Sequence, residues 1–268
     1  MQPSPISRLS PSSRLRANEG SKHEFESNGY LVFRDVVGGA TLAEVQARLV
    51  TEFARVKAEG RLFAGGGSVS GHLNCFPGEG ARVVYEALEA RGIIDLVRAL
   101  SSQPLRMPNV GCNLNLPHSS PQNEHVDGYA ATPFLVANVA VVDTGLDNGA
   151  MEVMPGTHRR DYKYWQLLAS RPKRVRLQMS RGDVAIRTST LWHRGMPNHT
   201  EQPRPMLAFT WEDGGSSLSD PFSAHDGQIR FFPNRFRTDW AGRVRERVFV
   251  AAPRLSRALR AASSLFER

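Results

Sequence analysis

Apolar and polar positions recur with two different periods along this chain, and the change from one to the other marks its organisation. Residues 22–38 read as a short helix, a turn at Asn28-Gly29 and a strand Tyr30–Phe33. Leu42, Val45, Leu49, Phe53 and Val56 follow at helical spacing, with Thr41 and Glu44 in a capping-box arrangement and Gly60 as a stop signal. They predict an amphipathic helix over 42–59, docked on a sheet by its apolar stripe. Residues 81–100 carry two more helical pieces, divided near Gly92.

From about residue 106 the period shortens. The runs 109–116, 132–143, 150–154, 174–178, 183–187 and 205–212 are strand-like. Turn signals separate them, of which Asp147-Asn148-Gly149 and Ser180-Arg181-Gly182-Asp183 are the clearest. Helices first and short strands second predict an antiparallel β sandwich or barrel behind N-terminal helices.

Two segments carry no period. Residues 1–20, rich in Ser, Pro and Arg, read as a disordered leader. They lack the apolar stretch of a secretory signal, although their Arg- and Ser-rich, nearly acid-free composition is one that organelle transit peptides share. Residues 64–80 are Gly-rich but match neither phosphate-binding glycine pattern, and read as a mobile loop of the kind that covers sites. The expected organisation is a leader over 1–20, a single domain over 21–227 with its β core from about 106, and a basic extension over 228–268.

Composition narrows the class. A chain of 268 residues is long enough to bury roughly 70% of its unfolded surface. With 40% hydrophobic and 22% charged residues, wholesale disorder and fibrous repeats are excluded. No apolar run approaches the ~20 residues of a membrane helix. The net charge of +8 lies in the tails: residues 228–268 hold ten Arg against three acids, while 21–227 hold 21 basic against 22 acidic residues. Only four of the 34 basic residues are Lys, so the excess reads as Arg-rich codon usage, and no nucleic-acid partner is expected. Cys75 and Cys112 form no CxxC pattern, which excludes a Cys-based zinc site; both are expected to be reduced thiols in a cytoplasm.

The sharpest chemical pattern is His125-Val126-Asp127. On extended backbone, residues i and i+2 point to one side, so an imidazole and a carboxylate can grip one ion together. His193 stands 66 residues beyond Asp127, just after a predicted strand. Two histidines and one carboxylate on one face are the ligand set of non-haem Fe(II) oxygenases, which leaves positions open for a chelating 2-oxo acid and O₂. Arg204 lies eleven residues past His193, at the head of a predicted strand. Its planar guanidinium suits the far carboxylate of such a cosubstrate. A cupin-like zinc or manganese enzyme could use the same three ligands, but would give Arg204 no role. A non-enzymatic reading is a β-sandwich binding module whose basic tail, with Arg254, Arg257 and Arg260 at helical spacing, docks on nucleic acid or an acidic membrane.

These residues carry a resemblance. Asn123-Glu124-His125-Val126-Asp127, the run from Asp147-Asn148-Gly149 to Pro155-Gly156-Thr157-His158-Arg159, Arg181-Gly182-Asp183, His193 and Arg204 resemble the phytanoyl-CoA dioxygenase-like branch of the Fe(II)/2-oxoglutarate-dependent oxygenases. Phe25 to Phe33 is similar to that family's opening. The likeness covers about 24–212, is weakest at 60–105, and leaves everything from 213 onward unmatched.

The resemblance implies a mainly β fold with flanking α: a double-stranded β-helix (jelly-roll, cupin-like) core with N-terminal helices. It implies His125, Asp127 and His193 as iron ligands, Arg204 as the holder of the 2-oxoglutarate C5 carboxylate, and Asn113 or Asn115 as a polar contact to that cosubstrate. Fe(II), 2-oxoglutarate and O₂ are then the cofactors. A Ser is common two residues after the distal histidine, and Gly195 stands there instead. A carboxylate at 127, rather than the small residue of halogenating relatives, favours hydroxylation of a C–H bond; the substrate is expected to be a small polar metabolite or natural product, because the 64–80 segment holds too few aromatics for an acyl-chain tunnel. Desaturation, cyclisation or epimerisation at the same centre stays open. Asn74, Gln122 and Tyr129 are candidate substrate contacts. His158 reads as a turn residue that hydrogen-bonds backbone, His72, His118, His199 and His225 as loop or lid residues, and Trp192 and Trp211 as core.

Overall fold

The shorter period of the C-terminal half does build strands in the computed structural model, which describes residues 14–15 and 18–266. Seven antiparallel strands form the main sheet. In spatial order they are β1 (Tyr30–Phe33), β7 (Val184–Thr188), β4 (Leu135–Ala140), β9 (Arg204–Thr210), β3 (Asn109–Asn115), β2 (His72–Phe76) and β10 (Arg230–Phe232). A second sheet orders β6 (Val175–Arg176), β5 (Glu152–Val153) and β8 (His193–Arg194). The architecture is a double-stranded β-helix with flanking helices.

The outer face of the main sheet holds the larger core. Leu207 and Phe209 of β9, Val139 of β4 and Ile186 of β7 pack there with the stripe Leu42, Val45 and Leu49. That stripe belongs to α2 (Gly39–Ala58), whose first residue lies three positions before the predicted start. Its N-cap is Gly38 and no side chain caps it, so Thr41 and Glu44 do not form the expected box; Thr41 already lies inside the first turn. α3 (Ala81–Ala90) and α4 (Ile93–Leu100) complete this layer. They divide at Gly92, which is left-handed (φ 81°) and so close to the Leu15 carbonyl that a Cβ would sit 2.4 Å from it. Most of the expected leader lies outside the described residues. Of its described part, Leu15 is buried with its N–H on the Arg91 carbonyl at 2.9 Å, and α1 (Glu19–Asn28) begins within it, capped by Asn18.

The Gly-rich segment corrects an expectation. Residues 64–80 are not simply a mobile loop, because His72–Phe76 is strand β2, paired with β3 on one side and β10 on the other. Five residues between glycines carry too little local pattern; pairing partners about 40 and 155 positions away supply the order.

The basic C-terminal segment is built into the molecule. β10 adds the last strand of the main sheet. α5 (Tyr164–Ser170), near the second sheet, meets α7 (Pro253–Ser263), which follows α6 (Trp240–Ala251). Glu246 of α6 is fully buried, and one of its oxygens accepts from Val69 N (3.1 Å), Ser70 N (2.8 Å) and Ser70 Oγ (2.8 Å). Arg257 of α7 donates to the buried Glu124 carboxylate at 2.8 Å, and Arg260 donates to the Glu124 carbonyl at 2.5 Å. Among the described residues, no helix is long and apolar enough to cross a membrane.

Glu246 therefore holds α6 to the β2 side of the sheet. Glu246→Ala leaves two backbone N–H groups and a hydroxyl without their acceptor, and is expected to lower unfolding free energy by about 3 kcal/mol in urea titrations. Glu246→Gln, which keeps an acceptor oxygen, is expected to recover most of that loss.

Candidate active site

Residues that face each other across paired strands share a side of the sheet. His72 of β2 opposes Asn115 of β3, which opposes Arg204 of β9. Asn138 of β4 and Arg187 of β7 lie on the same inner side. All five are buried, so the outer face of the sheet is apolar while the inner face is lined with polar groups. A buried polar surface of this kind is costly to build and marks where ligand chemistry takes place.

His125 and Asp127 come to this face from the segment between β3 and β4. A two-bond bridge fixes them: His125 N–H donates to the His193 carbonyl, and His193 N–H to the His125 carbonyl, both at 2.9 Å. The imidazole centroids consequently lie 4.4 Å apart. In each ring Nδ1 donates to the carbonyl two residues earlier, Asn123 for His125 and Leu191 for His193, both at 2.9 Å. That contact sets the tautomer, leaving both Nε2 lone pairs free. They face Asp127: His125 Nε2 is 3.8 Å from Oδ1 and His193 Nε2 is 3.7 Å from Oδ2. One donor atom from each of the three residues lies within 4.8 Å of the others, which is the span of a single-ion site.

The protonation states suit such a site. Burial, with Arg187 adding to it, pushes the His193 imidazole down to about 3. Burial likewise lowers His125. Burial alone would raise Asp127, but the Arg187 guanidinium, 2.5 Å from Oδ2, holds it well below the usual carboxylate range. At neutral pH the three residues present two neutral imidazoles and one carboxylate. Sequence reading missed Arg187, although a charged residue inside a strand of otherwise apolar pattern was a signal. Arg187 also donates to Asn138 Oδ1 at 3.0 Å, which holds its fork on Asp127.

Arg204 is 3% exposed and pairs with no carboxylate among the described residues. Its one hydrogen bond, Nη2 to the Gly149 carbonyl, measures 3.2 Å, and its buried Nε has no partner. Burial lowers its pKa to about 10, so it stays a cation at neutral pH. Asn115, opposite it, donates to the Met196 carbonyl at 2.9 Å. Asn113 instead donates to Asn74 Oδ1 at 3.2 Å.

A cavity of about 860 Å³ opens at His125. Asn74 and Gln122 line it; Tyr129 does not, and is 83% exposed in the loop that follows Asp127. The far wall comes from the C-terminal segment: Arg235, Phe236, Arg245, Val248, Phe249 and Leu259. Sequence reading placed no site residue there.

His72 is not a loop residue. It is 1% exposed, with Nε2 on the Ser120 carbonyl at 2.7 Å and Nδ1 unpartnered. A Cβ at Gly195 would sit 2.9 Å from the His72 ring and 2.9 Å from Gln122 Oε1, so His72 and Gln122 occupy the space a serine there would need. Gln122 Oε1 also accepts the Gly195 N–H at 2.8 Å. His158 does hydrogen-bond backbone, through Nε2 to the Glu26 carbonyl at 3.1 Å, and Trp192 and Trp211 are buried.

With this geometry in hand, the chain can be set beside known proteins. The family model described as Phytanoyl-CoA dioxygenase (PhyH) matches residues 25–206. Among solved structures, it is similar to the epimerase SnoN in complex with Fe³⁺, alpha ketoglutarate and nogalamycin RO, with TM-score 0.56 and 20% identity over 72% of this chain and 82% of that one. The alpha ketoglutarate-dependent carbocyclase SnoK from nogalamycin biosynthesis aligns at TM-score 0.56 and 16% identity, over 72% and 83%. EctD from S. alaskensis with bound Fe aligns at TM-score 0.55 and 19% identity, over 76% and 81%. These likenesses speak for the shared fold.

Two outcomes test the packing behind the site. Gly195→Ser is expected to destabilise the protein by about 2 kcal/mol in urea, because the His72 ring cannot retreat without losing the Ser120 carbonyl. The second concerns pH. Burial pushes His72 from 6.5 down to about 3, so below pH 6.5 the unfolded chain takes up a proton that the folded protein refuses. This contribution to stability is full above 6.5 and is lost as pH falls toward 3, at up to ~1.4 kcal/mol per pH unit. His72→Gln should therefore flatten the stability–pH slope by about one proton between roughly pH 6 and 4.

Proposed function

The chain belongs to the phytanoyl-CoA dioxygenase family, and from that membership we propose that it is an Fe(II)/2-oxoglutarate-dependent dioxygenase hydroxylating a C–H bond of a small metabolite or natural product. One observation carries the reading: the donor atoms of His125, Asp127 and His193 lie within 4.8 Å of one another, and the inner face of the main sheet holds a buried arginine, Arg204, with no carboxylate partner among the described residues.

The residues fit the groups this reading requires. Two neutral imidazoles and one carboxylate are the donor set that non-haem Fe(II) takes, with the remaining positions left for ligands. The unpartnered Nε of Arg204 and its unpaired charge fit the distal carboxylate of 2-oxoglutarate. Once bound, the metal and 2-oxoglutarate supply O₂ activation, with succinate and CO₂ released as the C–H bond is oxidised.

The protein positions and shields. The paired backbone bonds between His125 and His193 hold two ligands at fixed separation without relying on side-chain rotamers. The Asn123 and Leu191 carbonyls keep each Nδ1 protonated and each Nε2 available. Arg187 binds one carboxylate oxygen of Asp127, which keeps the group ionised and fixes its rotation. Arg204 orients the cosubstrate from one side, and the cavity beside His125 admits the substrate from the other.

Desaturation, cyclisation or epimerisation at the same centre is the second reading, favoured by the likeness to an epimerase and a carbocyclase. Product mass separates them: hydroxylation adds one oxygen atom, whereas epimerisation leaves the mass unchanged.

The primary test is anaerobic. Adding Fe(II) and then 2-oxoglutarate is expected to produce the weak visible charge-transfer band of the chelate. His125→Ala should abolish it, and Arg204→Ala should raise the 2-oxoglutarate needed for half-saturation by about 100-fold. A folded, iron-loaded protein without the band would overturn the oxygenase reading in favour of a cupin-like metal protein. Full activity in Arg204→Ala would favour the same alternative.

A further inference from the structure

The excess positive charge of the C-terminal segment divides into two sets. Arg257 and Arg260 are engaged with Glu124. Arg235 and Arg245 are not: both line the cavity that opens at His125, and neither has a carboxylate within ion-pair distance among the described residues. The acids near them in sequence are engaged elsewhere: Asp239 pairs with Arg237 at 2.9 Å, and one oxygen of Glu246 accepts from Val69 and Ser70.

Arg235 is the more informative of the two. Its guanidinium lies 4.8 Å from the Phe236 ring and 4.8 Å from the Phe249 ring, so two aromatic faces hold its plane. Burial and the like charge of Arg260 push its pKa down to about 10, against the partial pull of Glu246, so it stays a cation at neutral pH with no carboxylate in ion-pair contact among the described residues. A guanidinium held between two rings at the wall of a cavity is preoriented to receive an anion with two oxygens. That anion is not the one assigned to Arg204, which does not line this cavity. Phe236, Phe249 and Leu259 make the adjoining wall apolar.

Building on the oxygenase reading above, we propose that the substrate is an amphipathic anion: a carboxylate or phosphate monoester held by Arg235 and Arg245, with an apolar body lying against Phe249 and Leu259 toward His125. The small polar molecule expected from sequence is refined accordingly. The polar part is an anionic head, and the apolar contact comes from helices α6 and α7 rather than from the glycine-rich segment.

Calorimetric titration of the full-length protein with octanoate, octyl phosphate and octanol tests this. At least one of the two anions is expected to bind about 10-fold or more tightly than octanol, and the tighter of them identifies the head group. Arg235→Gln and Arg245→Gln should each weaken that anion by about 10-fold while octanol binding stays unchanged. Arg245 is exposed on α6, so its variant keeps the test open should Arg235→Gln unfold. Equal binding of octanol and both anions, or anion binding indifferent to both substitutions, overturns the inference. The visible iron band of the unaltered protein reads the oxygenase assignment separately. A band without anion preference sinks only the substrate class. Anion preference without a band leaves the anion seat standing and sinks the oxygenase reading.

Discussion

The His125–His193 bridge is the constraint on which the rest of the site depends. Two backbone hydrogen bonds of 2.9 Å join the segment after β3 to strand β8, and each side chain's direction follows from that pairing. Asp127, two residues along, projects to the same side. The arrangement of the three donor residues is thus set by main-chain geometry, and a registry error of one residue would turn their side chains away. The adjacent Glu124 projects to the opposite side, so one extended segment sends His125 and Asp127 toward His193 and the Glu124 carboxylate into the body of the protein.

Glu124 shows how that body holds the segment in place. It is fully buried and receives Tyr164 Oη at 2.8 Å, Arg257 at 2.8 Å, Arg174 at 3.1 Å and Arg194 at 3.4 Å. Burial alone would raise its pKa, but these hydrogen bonds and charges hold it below the usual range. Arg174 and Arg194 also share Glu152 of β5. The network ties β5, β8, α5 and α7 to the residue beside His125. A buried ion pair is only marginally stabilising in itself, yet removing one partner is strongly destabilising, so such a network specifies one arrangement. Against it, Arg204 and Arg235 stand out as cations with no carboxylate in ion-pair contact among the described residues.

The same economy explains the two faces of the main sheet. Period-2 alternation sends Leu207 and Phe209 of β9 outward to the helices, and Arg204, Met206 and Ala208 inward. One face is stabilised by apolar burial. The other keeps buried polar groups that the described residues partner only in part, among them Arg204 Nε, Arg187 Nη1 and Asn115 Oδ1. The N-terminal helices cover the first face and the C-terminal helices screen the second, so the cavity beside His125 is walled by β2, the segment after β3 and the C-terminal segment.

Local pattern was enough for the elements that depend on near neighbours. The stripe of α2, the break at Gly92, the turn at Gly29 and strands β3, β4, β7 and β9 were legible because period, glycine conformation and turn chemistry act over a few residues. The sequence pattern and the family resemblance singled out His125, Asp127 and His193 together, and the fold does bring their donor atoms within 4.8 Å of one another. What the sequence could not show by itself was everything decided by distant partners. His72–Phe76 is a strand only because β3 and β10 flank it. Arg187 finds Asp127 across sixty positions, and His72 fills the space beside Gly195. The basic tail looked like a surface feature, since charge in a sequence has no direction. Tertiary structure turned Arg257 and Arg260 toward Glu124, because that buried carboxylate takes whatever cations the fold brings near it, and it placed Arg235 and Arg245 along the cavity wall.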